Sequence, residues 1–208
     1  MIYLFSDKAY DGVVHLPLFE IVFDSSPIDL TGVDAIIFTS KNSVKALDQA
    51  TVSWKDKEAY AIGEGTASLI QHCGGNLVFT AKESYGDTFA QTLIPLLKTK
   101  KVFFPRAKEV ASSLFEILQS SSIAIEQHIV YESKCKHYPA SSAPPKASKL
   151  IFTSPSTVYY FLENFTWDES YSAIAIGKKT AAALPLYVKP LISQKQSIEH
   201  CIALAKAL

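Results

Sequence analysis

The chain has 208 residues, of which 48% are apolar and 19% charged, and its 20 basic and 20 acidic residues balance to zero. This suits one large or two small domains with a sizeable core, and it excludes a disordered chain. An even charge without a run of one sign argues against a nucleic-acid binder, and no stretch approaches the ~18 apolar residues of a membrane helix.

The N-terminus, MIYLFSDKAYDG, has no basic start and no long apolar core, so a signal peptide is not expected there. Residues 2–5 read as a short buried strand. Residues 16–23 (LPLFEIVF) alternate and are long enough to bridge two parts of a molecule. Residues 35–40 (AIIFTS) form an apolar strand ending in hydroxyls, followed by a helix over 42–49. A strand over 59–63 (AYAIG) leads to a helix over 66–72 that stops at Gly74-Gly75. Residues 77–79 are a short strand. Phe89, Leu93 and Leu97 mark one face of a helix over 87–97. Then come a strand over 101–105, a helix over 110–118 with Leu114, Ile117 and Leu118 inward, and a second long alternating run over 123–133. The same rhythm returns: strand 150–154 (LIFTS), helix 157–165, strand 173–177 (AIAIG), helix 179–184 stopped by Pro185, strand 190–192 and helix 197–208. Apolar strands alternating with amphipathic helices predict parallel sheets covered on both faces. A Pro/Ser/Ala-rich stretch, 138–148, is the one clear linker candidate.

Sliding the chain along itself by 114 residues lays Ile37-Phe38-Thr39-Ser40 on Ile151-Phe152-Thr153-Ser154, and Ala61-Ile62-Gly63 on Ala175-Ile176-Gly177. Val44 meets Val158, and Thr66-Ala67 meets Thr180-Ala181. In all, 10 of 23 positions agree over 35–47 and 61–70. Shared apolar strands explain Ile and Phe, but not Thr-Ser, Gly and Thr-Ala recurring at one spacing. Two lobes built on one plan are expected.

Both repeated motifs fall at the carboxyl ends of strands, where open parallel sheets bind ligands. Pro155 suits the first turn of a helix, which makes Ser154 its N-cap; Ser40 does the same by the repeat. Hydroxyls, free N–H groups and helix dipoles then form anion sites without formal charge. The loops Gly63-Glu64-Gly65-Thr66 and Gly177-Lys178-Lys179-Thr180 also open helices after strands, and glycine lets backbone approach a ligand. Matched mouths suit a ligand with several carboxylates, held between two lobes. Neither loop completes a dinucleotide fingerprint.

The widely spaced Cys73, Cys135 and Cys201 indicate neither a disulfide framework nor a zinc knuckle. Cys135-Lys136-His137 and His200-Cys201 lack a second ligand pair at zinc spacing. No metal and no cofactor is expected.

The stretches IIFTSKNSV, AIGEGTASLI, SYGDTFAQTL, KVFFPRAKEVASSLFEIL, IVYES, LIFTSPSTVYYFL and AIGKKTAAAL, in this order and spacing, resemble uroporphyrinogen-III synthases over nearly the whole chain. The resemblance implies two flavodoxin-like parallel-sheet α/β lobes joined by a two-stranded antiparallel linker, here residues 16–23 and 123–133. One lobe would be continuous, 18–134; the other would combine 1–17 with 135–208. It implies a lyase that cyclises hydroxymethylbilane, a linear tetrapyrrole, with loss of water and inversion of the terminal ring. The binding residues carried over are Thr39, Ser40, Asn42, Gly63, Thr66, Ser154, Ser156, Gly177 and Thr180. Tyr131, in IVYES, matches the family's tyrosine after the linker strand and is the candidate proton or hydrogen-bond donor. A core aromatic is the competing reading. Arg106 and Lys178 could meet carboxylates, with surface solvation as the competing reading. The expected state is a cytoplasmic monomer whose partner is a polycarboxylate, with no nucleic acid and no membrane. The segment after the first strand is short: it lacks the helix the family implies, and Ser6-Asp7 replaces a basic residue. The alternative function is a non-catalytic two-lobed binding or sensor module for a polyanion. A phosphosugar-type transferase would need a carboxylate or histidine beside a strand end, and none is evident.

Overall fold

Short β-branched and aromatic runs become strands here, and the longer runs with a 3.6-residue period become helices. A computed structural model describes residues 1–81, 86–110 and 112–208. In chain order the elements are β1 (Ile2–Phe5), β2 (Val14–His15), β3 (Phe19–Phe23), β4 (Ala35–Phe38), α1 (Lys41–Gln49), β5 (Glu58–Ile62), α2 (Glu64–His72) and β6 (Asn76–Ala81). They continue with α3 (Gly86–Leu97), β7 (Lys101–Ala107), α4 (Leu114–Ser120), β8 (Ala124–Cys135) and a 3-10 turn at Ala140–Ser142. Last come β9 (Lys149–Phe152), α5 (Pro155–Asn164), β10 (Ser172–Ala175), α6 (Lys178–Ala182), β11 (Leu191–Ile192) and α7 (Ile198–Ala207).

The chain divides into two units, residues 1–20 with 134–208 and residues 21–133. The discontinuous unit has a five-stranded sheet in the order β11-β10-β9-β1-β2, with every neighbouring pair parallel. Numbered by its own strands this is 2-1-3-4-5, the flavodoxin order, and the order reverses between β1 and β9. The period of two along each strand sorts its side chains. Phe5, Leu150, Phe152 and Ala173 pack with Val158 and Phe161 of α5. Leu4, Ile151 and Ile174 pack on the other face with Cys201, Ile202 and Ala205 of α7. Parallel strands usually need a dozen or more residues to cross over. The β1–β2 link is shorter and carries no helix. Tyr10 and Val13 from that link join α7 in covering this face.

In the continuous unit the parallel order is β8-β7-β4-β5-β6, with β3 on the outer side of β8. The order reverses between β4 and β7. Ile36, Phe38, Ala59, Ala61 and Phe103 face α1 and α2. Ala35, Ile37, Tyr60, Val102 and Phe104 face α3 and α4. The chain passes between units along β3 and β8. The Lys136 N–H donates to Leu18 O at 2.9 Å and the Asp24 N–H to Val130 O at 3.0 Å. One strand rises as its partner descends, so the pair is antiparallel.

Several boundaries differ from the sequence reading. The strand expected from residue 16 begins at Phe19, because Pro17 has no N–H to give a ladder; its carbonyl accepts from the Tyr138 hydroxyl at 2.8 Å. The helix expected from residue 110 begins at Leu114. Val110 is exposed, and the Ser113 N–H is drawn to Asp87 Oδ1 at 2.8 Å. Ala111 in that stretch, and Ser84 and Tyr85 of SYGDTFAQTL, lie outside the described residues. The two-residue β2 was not anticipated.

Candidate active site

Each unit ends a central strand, at its order reversal, in Thr-Ser. In the continuous unit β4 gives way to Thr39-Ser40. Ser40 has extended backbone and caps α1, its Oγ accepting from the Asn42 N–H at 3.1 Å. In the discontinuous unit Ser154 caps α5. Its Oγ accepts from the Thr157 N–H at 3.3 Å, and Thr157 Oγ1 accepts from the Ser154 N–H at 3.2 Å. Ser156 Oγ lies 2.8 Å from Ser154 Oγ. Thr153 Oγ1 donates to Phe5 O at 2.7 Å, tying β9 to β1 at the reversal itself. Thr39, Ser40, Asn42, Ser154 and Ser156 are all half-buried, so each keeps surface to offer a ligand. The positive ends of α1 and α5 lie at these positions.

The glycine loops are less alike than their sequences. Gly63 caps α2 with φ +73°, a conformation that side chains rarely adopt, whereas Gly177 caps α6 with ordinary extended backbone at φ −170°. A Cβ added to Gly63 would meet nothing within 4 Å, and one added to Gly177 would lie 3.6 Å from Gln196 Nε2. α6 is only five residues long, so the dipole behind Gly177 is weak. Thr66 and Thr180 are 6% and 3% exposed. At these two positions a ligand would meet the loop backbone more than the side chain.

Tyr131 lies inside β8 rather than after it. Strand residues alternate faces, yet Val130 and Tyr131 are consecutive and both buried in one cluster. The cause is a shift in register: Arg106 pairs with Ile129, but Ala107 pairs with Tyr131. The extra residue turns the Tyr131 ring into the core cluster that holds Phe38 and Phe103. Its hydroxyl lies near the Ser40 side chain; burial pushes the phenol above its usual range, and Ser40 opposes that. Ser40 Oγ accepts from Asn42 and keeps its own proton to offer the tyrosine oxygen. With Ser40 as donor, the Tyr131 O–H can donate onward. Tyr131 lines a pocket of 410 Å³ with Phe23, Asp24, Lys108, Ile129 and Glu132. Lys108 and Glu132 are paired at 3.0 Å on its rim.

The structure thus brings Ser40 and Tyr131 together, though they are far apart in sequence. It also adds a residue missed in the sequence. The added Cβ of Gly65 would fall 2.6 Å from Lys41 Cε and 2.9 Å from its Nζ, so the ammonium lies over the second glycine of the Gly63–Thr66 loop. This end of the continuous unit therefore carries formal charge, contrary to the uncharged site expected. The signal was present: lysine in a first helical turn opposes the dipole, so another reason for it was to be sought. Gln196, beside Gly177, had no such signal. Arg106 folds back along its own strand, its Nε donating to Gln127 Oε1 at 2.7 Å and its Nη1 to the carbonyls of Ala107 and Lys108. It holds the register shift in place.

These features define a two-unit, flavodoxin-like α/β protein with capped, donor-rich strand ends at both order reversals. A family model described as "Uroporphyrinogen-III synthase HemD" matches residues 11–203. The crystal structure of uroporphyrinogen-III synthetase from Helicobacter pylori 26695 is 33% identical, with a TM-score of 0.86 over 99% of this chain and 98% of that one. A mutant uroporphyrinogen III synthase from the extremely thermophilic bacterium Thermus thermophilus aligns at 15% identity and a TM-score of 0.56, over 94% of this chain and 89% of that one, a likeness of fold alone. No curated protein matched the sequence. The chain belongs to the uroporphyrinogen-III synthase family, enzymes of tetrapyrrole biosynthesis. No helix among the described residues is long and apolar enough to cross a membrane.

Proposed function

We propose that the chain is a lyase that converts hydroxymethylbilane to uroporphyrinogen III, with Tyr131 assisting the loss of water. The observation that carries this is Tyr131, near the Ser40 cap and lining an open pocket. Family membership favours the enzyme over a non-catalytic sensor module.

In this reading Thr39, Ser40, Asn42 and the Gly63 loop bind substrate carboxylates through hydroxyl, amide and backbone donors. Ser154, Ser156 and the Gly177 loop form the second set, and Thr66 and Thr180 hold the loops from beneath. Lys41 and Lys178 add charge. Tyr131 donates a hydrogen bond to the terminal hydroxyl of the bilane. As the C–O bond lengthens, oxygen gathers negative charge and the bond from Tyr131 strengthens. The oxygen takes a second proton from solvent and leaves as water, and the pyrrole nitrogen supplies the electrons that make the azafulvene cation. The far ring is then attacked at its substituted carbon to give a spiro intermediate. One bond of that intermediate breaks and re-forms with the ring turned over, and the ring carbon then loses its proton to solvent. A phenol raised by burial stays protonated at neutral pH, so it can donate but is a poor acid for complete transfer.

Without an enzyme the bilane closes to isomer I. The protein's task is to favour one folded conformation, and each tenfold preference requires about 1.4 kcal/mol of differential stabilisation. Three unpaired cysteines support a reducing, cytoplasmic setting. The test is to supply fresh hydroxymethylbilane, oxidise the product and separate the porphyrin isomers. Isomer III is expected, formed faster than isomer I forms spontaneously; isomer I alone, at the spontaneous rate, would refute the assignment.

A further inference from the structure

We infer that Cys135, His137 and Glu163 form a zinc site in the discontinuous unit. Their ligand atoms all lie within 4.8 Å of one another. Cys135 ends β8, and His137 follows two residues later, so both point to one side of extended backbone. Glu163 comes from the last turn of α5. His137 Nε2 lies 3.9 Å from Glu163 Oε1, too long for a hydrogen bond and close to the spacing of two ligands on one ion.

The site is built rather than a chance meeting of surface groups. Asn164 pins the strand to the helix. Its Nδ2 donates to Cys135 Sγ at 3.3 Å, to Lys136 O at 2.9 Å and to Tyr160 O at 2.8 Å, and its Oδ1 accepts from the Tyr138 N–H at 2.7 Å. A donor aimed at the sulfur also stabilises a thiolate and orients it. The thiol donates to Lys136 O at 3.6 Å, with the Glu163 carboxylate beside it. The negative end of the α5 dipole faces the same place, which favours a cation. One sulfur, one imidazole nitrogen and one carboxylate oxygen make a tetrahedral zinc set with a fourth position for water. On binding, the Cys135 S–H bond breaks, its proton passes to solvent, and the Sγ–zinc bond forms.

The sequence pattern could not show this, because C-x-H has no second ligand pair in the chain; the third ligand comes from a helix. Ser154, at the other end of α5, is nine residues from Glu163, ~13 Å along the axis. The zinc is therefore a clip between β8 and α5, separate from the strand-end donors.

The test titrates zinc into the chelator-treated full chain against a chromophoric competitor, and separately records the cobalt(II) spectrum. One zinc per chain is expected, with a sulfur-to-cobalt charge-transfer band and a raised thermal midpoint. C135S should abolish the band, and both C135S and H137A should weaken zinc by at least the ~100-fold that an orienting partner alone can cost. C73S should change nothing. Should C135S fail to fold, H137A, at an exposed position, carries the comparison. No stoichiometric binding, or binding that keeps its affinity in H137A, would overturn the site.

Discussion

Tyr131 shows how a single residue takes two roles at once. Its ring belongs to the core cluster that holds Phe38 and Phe103, while its hydroxyl lies near Ser40 and the residue lines the pocket. Tyr131→Phe keeps the ring and removes only the donor, so its thermal midpoint should change little while kcat falls ~10²-fold, the cost typical of one positioned donor. Full activity in that variant would remove Tyr131 from the mechanism. Ser40→Ala should lose less activity but about 1 kcal/mol of stability, because it also removes a helix cap. The two glycines separate similarly. Gly63→Ala forces a side chain into a region nearly reserved for glycine, at ~1–3 kcal/mol. Gly177→Ala adds a methyl in ordinary contact with Gln196 and should alter urea stability by less than ~0.5 kcal/mol. A raised KM in Gly177→Ala at unchanged stability would indicate that substrate approaches its backbone.

The helices and strands place these residues by different rules. Ser154-Pro155 and Ser40 were legible as caps because capping depends on a few neighbouring residues. The shift in register at Arg106–Ala107 was not, because it depends on how β7 meets β8, and it decides where Tyr131 points. At the opposite end of the same sheet, Glu58 begins β5 and accepts from Lys100 Nζ at 2.7 Å and from the Tyr60 hydroxyl at 2.7 Å. These bonds hold its carboxyl below the usual glutamate range. A lowered carboxyl stabilises the fold above the unfolded-state value and loses that stabilisation as pH falls through the folded one. Glu58→Gln should thus lower the urea midpoint at pH 7, by at most ~1 kcal/mol for a pair open to solvent. The gap should close towards pH 3; one that persisted there would assign the effect to packing.

At the scale of the whole chain, the units differ in how they are assembled. The buried residues of both core clusters of the continuous unit fall within 30–131. A fragment of residues 19–135 should therefore unfold cooperatively on its own. Residues 134–208 alone lack β1, which lies between β9 and β2 in their sheet, and should show no cooperative thermal transition by circular dichroism. Cooperative unfolding of that piece would mean that α5 and α7 suffice to hold β9 and β10. Interleaving of this kind is invisible to composition: the Pro/Ser-rich stretch 138–148 looks like a boundary, yet it lies inside one unit.

By itself the sequence determined the class of fold, the twofold repeat and the Thr-Ser and Gly strand ends. These follow from the period of apolar residues and from capping chemistry, both local. Only the tertiary structure decided that Tyr131 meets Ser40, that Lys41 covers Gly65, and that Glu163 joins Cys135 and His137. Each of those contacts is made across separate elements, and side chains from separate elements meet only where sheet order and register bring them.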